Sequence, residues 1–257
     1  MRDVKTPSIT EIRKRKFAHQ IGGVHENGAV ADSFFEKYSD NRSYEDVFEV
    51  AFNGKYLIDL IIAVWGAHPP YKLLDCGSAN GLTLEQFKKL GVEAWGIENN
   101  AHIVSKTPEG WRERNLLGDV CKMPFEDESF DFLYVTCLPH LPEAIIGQAI
   151  KELFRVCRVG VVLHGVTTDM TEEVIGDYEL FIGLQTFWTC AEWSDAMVQG
   201  GFKLAVSDPA MLDEVWRVEQ ETDVDDWDWY PNKETMQYHF FSKPHSGSPA
   251  SPRQARG

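Results

Sequence analysis

The chain has 257 residues, 43% of them hydrophobic and 12% aromatic, enough for one sizeable α/β domain with additions. Its 40 acidic residues against 25 basic ones give a formal net charge of −15, which disfavours both a general nucleic-acid surface and an anionic membrane face. No apolar run reaches the roughly 18 residues needed to span a bilayer, and the N-terminal stretch is polar rather than leader-like. Cys76, Cys121, Cys137, Cys157 and Cys190 never form a Cys-x-x-Cys pair, so reduced structural thiols in a cytoplasmic protein are expected.

Residues 1–29 read as a flexible basic arm, with Arg13, Lys14, Arg15 and Lys16 on a short helix and Gly22, Gly23 and Asn27-Gly28 behind it. Residues 30–70 carry apolar side chains at helical spacing, among them Phe34, Val47, Leu57, Ile58 and Ile61, and stop at Pro69-Pro70. They predict a helical segment that either lids a cleft or packs on one sheet face. From residue 71 the pattern alternates. Strands are predicted at 72–75, 92–98, 113–119, 130–136 and 159–164, and helices at 82–90, 101–106 and 143–156. That βαβ rhythm predicts a doubly wound, mostly parallel sheet with right-handed crossovers. A further helix at 191–199 ends at Gly200-Gly201, and strands at 202–207 and 235–242 bring the sheet to seven. The core domain is therefore expected over 71–243, with insertions at 166–189 and 208–233. Residues 244–257, rich in Ser, Pro and Arg, are expected to be disordered.

The chemistry concentrates where the first strand runs into Asp75-Cys76-Gly77-Ser78-Ala79-Asn80-Gly81. A strand, a carboxylate and a glycine-rich turn before a helix bring bare backbone N–H groups and a helix N-terminus to one point. The glycine spacing is not that of a dinucleotide fingerprint, whose positions hold Gly77, Ala79 and Leu82, nor that of a phosphate loop, because Leu82-Thr83 follows Gly81. Ligands of open α/β sheets lie beyond the carboxyl ends of the strands. The second strand ends in Glu98, a carboxylate able to accept ribose hydroxyls, and the third in Asp119-Val120, able to hold an adenine. Taken singly, Glu98 and Asp119 read equally well as strand-end surface acids. Three acids at successive strand ends form a pattern.

Asp75-x-Gly77-x-Ala79-x-Gly81 resembles the first motif of class I S-adenosylmethionine (SAM)-dependent methyltransferases, with Ala79 standing for the middle glycine. The run from Gly118-Asp119-Val120 through Met123-Pro124-Phe125 to Ser129-Phe130-Asp131 resembles that of the small-molecule group with ubiquinone- and sterol-type enzymes. The resemblance extends from about 71 to 242. It implies a Rossmann-like methyltransferase fold and SAM as cofactor. By that resemblance Cys76, Gly77, Ser78, Ala79 and Gly81 would lie against the methionine part, and Asp75 would order the loop or reach the ammonium. Glu98 would hold the ribose with Asn99 behind it, Asp119 and Val120 the adenine, and Thr136, Cys137 and Leu138 would flank the sulfonium.

The methyl of a sulfonium is already electrophilic, so in-line positioning supplies much of the rate and a base is needed only for a protonated nucleophile. His140, just past the fourth strand, is the leading candidate base, and His164, ending the fifth, is the second. Each reads equally as a hydrogen-bonded structural histidine. Neither has an Asp, Glu or Cys partner at ligand spacing, so no metal is expected. Tyr38, Tyr44 and Trp188 are the candidate substrate contacts, with an acidic, aromatic insertion at 208–233. Rings plus carboxylates suit a cationic amine, guanidine or amino acid, and equally a solvated insertion with its Trp residues packed inward. The expected function is methyl transfer to N, O or C of a small metabolite. The alternatives are a catalytically silent partner of the same fold and a protein methyltransferase. The expected partners are the small-molecule substrate and, as an open option, a second copy of the chain.

Overall fold

The computed structural model describes residues 54–164, 185–206 and 238–244. Its elements are α1 (Gly54–Trp65), β1 (Lys72–Cys76), α2 (Leu82–Lys89), β2 (Glu93–Glu98), α3 (Ala101–Ser105), β3 (Asn115–Leu117), β4 (Phe130–Val135), α4 (Glu143–Val156), β5 (Cys157–His164), α5 (Cys190–Gln199), β6 (Lys203–Leu204) and β7 (Tyr238–Ser242). The strands form one seven-stranded sheet in the order β3-β2-β1-β4-β5-β7-β6. β1 to β5 run parallel, and β7 alone is reversed, pairing antiparallel with β5 and β6. This is the doubly wound, mostly parallel sheet expected from the alternation of strands and helices.

Alternate side chains of the strands serve two cores. Leu74, Cys76, Leu133, Val135, Val161 and Leu163 pack with α4 and α5 through Ile146, Ile150, Leu153, Trp193 and Met197. Leu73, Phe132, Tyr134, Val162 and Phe240 pack with α1 and α2 through Leu57, Ile61, Leu84 and Phe87. All six residues of β4 are buried, as a central strand covered on both faces requires. Each such buried Leu, Ile or Phe is worth about 1.5–3 kcal/mol relative to an exposed one. Asp131, the one charge on β4, is satisfied by the backbone N–H of Lys72 at 2.9 Å and by an ion pair with Arg158. Trp65, at the end of α1, lies over Gly160 of β5, where a Cβ would come within 2.6 Å of its ring, and donates to Ser242 at 2.8 Å.

Differences from the sequence reading lie at the edges. The third strand is only Asn115–Leu117, because Gly118 turns the chain and Asp119 pairs with Lys122 in an isolated bridge. The sixth is only Lys203–Leu204. The basic arm, most of the 30–70 segment, nearly all of the 166–189 insertion, the 208–233 insertion and nearly all of the 244–257 tail lie outside the described residues. Of the helical segment, α1 is described, and it packs on one sheet face.

Candidate active site

The order β3-β2-β1-β4-β5 reverses direction between β1 and β4, and that switch point opens a crevice beyond their carboxyl ends. Two loops meet there. After β1, Gly77 has φ 95° and donates to the Ile97 carbonyl at 2.9 Å. After β4, Thr136 donates through N–H and hydroxyl to the Cys76 carbonyl at 3.0 and 3.2 Å. A Cβ on Gly77 would stand 2.6 Å from Thr136 Oγ1 and 3.1 Å from Cys137 Cβ. Only glycine fits.

The rest of the loop is set by polar anchors. Ala79 has φ 47°, a left-handed conformation that costs an L-residue about 1–2 kcal/mol. The family's middle glycine thus falls at a position that needs positive φ. Its N–H donates to Glu98 Oε2 at 3.2 Å, and its carbonyl accepts from Asn115 Nδ2 at 2.9 Å. Gly81, at φ 73°, caps α2 and delivers that helix's N-terminus to the crevice. Gly81 N–H bonds back to the Ser78 carbonyl at 2.8 Å.

Two carboxylates lie beneath and beside this loop. Asp75, only 2% exposed, accepts from Thr83 Oγ1 at 2.6 Å. Burial pushes its carboxyl up to about 7, the Thr83 hydroxyl opposing and the neighbouring Glu98 charge adding to the rise. Glu98 is also raised by burial, against the backbone N–H groups of Asn100, Ala79 and Asn99. Those of Asn99 and Asn100 donate to Oε1 at 2.9 and 3.0 Å. Three of a carboxylate's roughly four acceptor positions are therefore filled by backbone, leaving an oriented Oε2 for one strong hydroxyl. Burial pushes the Cys76 and Cys137 thiols up, Cys137 and Asp75 adding to it at Cys76 and Glu98 at Cys137, which favours the protonated forms.

The other sequence-predicted residues fall into distinct places. Val120 is buried beside Ile97, while Asp119 is exposed and accepts from the Cys121 N–H at 2.8 Å through Oδ1. Cys76 and Leu138 have no exposed surface and support the loops from behind. His140 ends the 3-10 turn Leu138–His140, half-buried. His164 ends β5, with Nδ1 3.0 Å from the Tyr134 hydroxyl and its ring stacked at 6.1 Å on that of Tyr134. Trp188 is half-buried, its ring 4.6 Å from that of Trp193. Tyr38 and Tyr44 lie outside the described residues. Among the described residues no group of three or more His, Cys, Asp or Glu is placed to hold a metal ion, and no helix is long and apolar enough to cross a membrane.

Sequence reasoning missed four contributors. Asn115 of β3 bonds Ser78 and Ala79; an Asn inside a predicted strand, where it is disfavoured, was the available signal. Thr83 satisfies Asp75 from the first turn of α2. Gln185 and Thr186 hold the loop after β4: both N–H groups donate to the Pro139 carbonyl at 2.9 and 3.0 Å. Gln185 Nε2 donates to the His140 carbonyl at 2.7 Å, and Thr186 Oγ1 to that of Leu141 at 2.6 Å.

The arrangement brings a glycine turn, a helix N-terminus and the Glu98 carboxylate together at the switch point, groups able to hold a small polar ligand. Comparison with known proteins agrees. Residues 74–164 match a methyltransferase domain family. The chain is 29% identical over 168 residues to cycloartenol-C-24-methyltransferase 1 of Oryza sativa subsp. japonica, a stretch covering 58% of this chain and 46% of that protein. It thus spans about half the length of the curated relatives it matches. Haemonchus contortus phosphoethanolamine N-methyltransferase 2, solved with S-adenosyl-L-methionine, superposes with a TM-score of 0.54 at 16% identity, over 87% of this chain and 61% of that one. The [4+2]-cyclase SpnF superposes at 0.50 and 15% identity, over 93% and 97%. At these identities the two structures speak for the fold alone.

Proposed function

We propose that the chain, whose residues 74–164 match a methyltransferase domain family, is a class I SAM-dependent methyltransferase that transfers the methyl of SAM to N, O or C of a small metabolite. The observation that carries this reading is the crevice at the switch point, where the Gly77 turn, Asp75 and Glu98 converge from β1 and β2. SAM supplies an activated methyl on a sulfonium. Glu98 accepts from its ribose, and the Gly77–Gly81 backbone lies along its methionine. Asp75, beneath the loop, would order it or reach the ammonium, Asn99 would stand behind Glu98 at the ribose, and Asp119 with Val120 would hold the adenine. Thr136 and Cys137, closing on Gly77, bound the space where the methyl leaves. The chain's own work is to bind, orient and exclude water; with the methyl already electrophilic, positioning is the main source of rate.

His140 closes the turn after β4 and His164 ends β5, and His140 is the proposed base for a nucleophile that arrives protonated. Trp188 is the one proposed substrate contact among the described residues. The relatives' names span a carbon acceptor and a nitrogen acceptor, so the class stays at small metabolite. The cationic guest rests on residues 208–233, outside the described residues. The charge of −15 favours such a substrate over nucleic acid, and unbridged thiols favour a reducing, cytoplasmic setting.

The test is release of S-adenosylhomocysteine from SAM across a panel of amines, amino acids, phenols and sterols. Turnover with one class is expected, and His140→Gln is expected to lower it roughly 100-fold with product affinity unchanged. Tight S-adenosylhomocysteine binding with no turnover on any class would favour the silent-partner reading.

A further inference from the structure

Asn115 of β3 sits 36 residues from Ala79 in sequence and is only 2% exposed. Its side chain makes three hydrogen bonds. Oδ1 accepts from Ser78 Oγ at 2.6 Å, and Nδ2 donates to the Ala79 carbonyl at 2.9 Å and to Thr107 Oγ1 at 2.8 Å. A neutral amide with all its strong partners in place inside a core is a rigid fixture. The glycines around it are shaped to it. A Cβ on Gly81 would stand 2.9 Å from Asn115 Cγ, and one on Gly96, its partner in the β2–β3 register, 2.3 Å from Asn115 Oδ1.

Ala79 is where this matters. The plane of the peptide before it is set by its N–H, held by Glu98, and the plane after it by its carbonyl, held by Asn115. Two fixed planes define one residue's φ and ψ. An alanine without those anchors leaves the left-handed region, whereas a glycine occupies it at no cost. The two anchors differ in one respect. Glu98 Oε2 would serve a ribose hydroxyl as well, through the one acceptor position its three backbone bonds leave open. Asn115 faces away from the ligand among Ser78, Thr107 and the two glycines.

We propose that Asn115 is a positioning residue for the donor site, locking Ala79 in the left-handed conformation that the family's pattern assigns to glycine and keeping the Gly77–Gly81 loop preformed. The proposal rests on the assignment of that loop to SAM. Asn115 touches no ligand; it acts through Ala79. This chain thereby carries a non-glycine at the middle position of the motif, with β3 supplying the restraint that glycine would make unnecessary.

The test is calorimetric titration of S-adenosylhomocysteine into the full chain as wild type, Asn115→Ala, Ala79→Gly, the double variant and Thr107→Val. Asn115→Ala is expected to weaken binding by ~10-fold or more, the factor that corresponds to a left-handed alanine's penalty. The loss should vanish on the Ala79→Gly background, where the double variant should bind within about threefold of Ala79→Gly alone, since glycine holds that conformation unaided. Thr107→Val removes the amide's distal acceptor and leaves Ala79 clamped, so it should stay within about twofold. Unchanged binding by Asn115→Ala would overturn the proposal. So would a loss that Ala79→Gly does not rescue, because general damage to packing has no reason to be repaired by a glycine 36 positions away. If Asn115→Ala does not fold, Asn115→Thr carries the same comparison, being suited to a strand and unable to span Ser78 and Ala79 together. Absence of binding by the wild type would strike the SAM assignment, a result separable from failure of the clamp.

Discussion

The loop after β1 and the loop after β4 face one crevice, yet they are held from different parts of the chain. Gly77 to Gly81 take their restraints from Ile97, Glu98, Asn115 and Thr136, all inside the matched methyltransferase domain at 74–164. Pro139, His140 and Leu141 take theirs from Gln185 and Thr186, some 45 residues on and outside that domain. The loop after β1, the proposed donor half, meets the loop after β4 only at Thr136 and Cys137 among these restraints. The loop after β4, the proposed acceptor half, is tied in addition to the segment that follows β5. Breaking each half separately checks that division of labour.

The largest effect is expected in the donor half. Gly77→Ala would put a methyl 2.6 Å from Thr136 Oγ1 on a residue with φ 95°. Strain and overpacking together should cost about 2–4 kcal/mol of stability. Because the displaced atoms belong to both loops, S-adenosylhomocysteine affinity should fall by roughly 100-fold at temperatures where the variant is folded. Thermal unfolding and calorimetry read the two effects. Near-native affinity would show that the two loops do not need this close approach.

Much of this half is legible in the sequence. Asp75, Gly77, Gly81 and Glu98 are local signals at strand ends, and the amphipathic pattern of 143–156 gives α4 residue for residue. The short edge strands are not legible. β3 has a partner on one side only and is cut by Gly118, and β6 is the outermost strand, so neither has the pairing that would extend its apolar run. Ala79's positive φ is hidden as well, because alanine carries no turn signal and its anchors come from Glu98 and Asn115. Gln185 and Thr186 left no trace, since their role depends on long-range contacts with three backbone carbonyls.

A smaller effect separates the halves by pH. Asp75 titrates about 7 in the folded protein against an ordinary 3.8, raised chiefly by burial. From about 4 to 7 the folded protein keeps a proton that the unfolded chain releases, so this group's contribution to stability is full below that window and declines across it as pH rises. Donor binding has the opposite sign, because the ammonium of SAM favours the ionised carboxylate. Affinity for SAM should therefore weaken by about tenfold from pH 8 to pH 6. Asp75→Asn should flatten that dependence and gain stability at pH 8, with Thr83 still able to donate to the amide oxygen. An equal slope in the variant would assign the titration elsewhere. His140, in the acceptor half, should leave its mark on the turnover profile instead.

The smallest effect sharpens the comparison from the acceptor side. Gln185→Ala deletes the 2.7 Å hydrogen bond to the His140 carbonyl and leaves both backbone bonds to Pro139 and the Thr186 bond to Leu141 in place. One lost hydrogen bond at a half-buried site costs about 1 kcal/mol, and the three remaining ones keep the loop near its native path. The expected outcome is a two- to fivefold fall in kcat with S-adenosylhomocysteine affinity unchanged, because nothing in the donor half leans on residue 185. The direction of the split decides the matter. A fall in affinity with kcat preserved would mean that the two loops are one mechanical unit across the crevice, joined where Thr136 meets the Cys76 carbonyl.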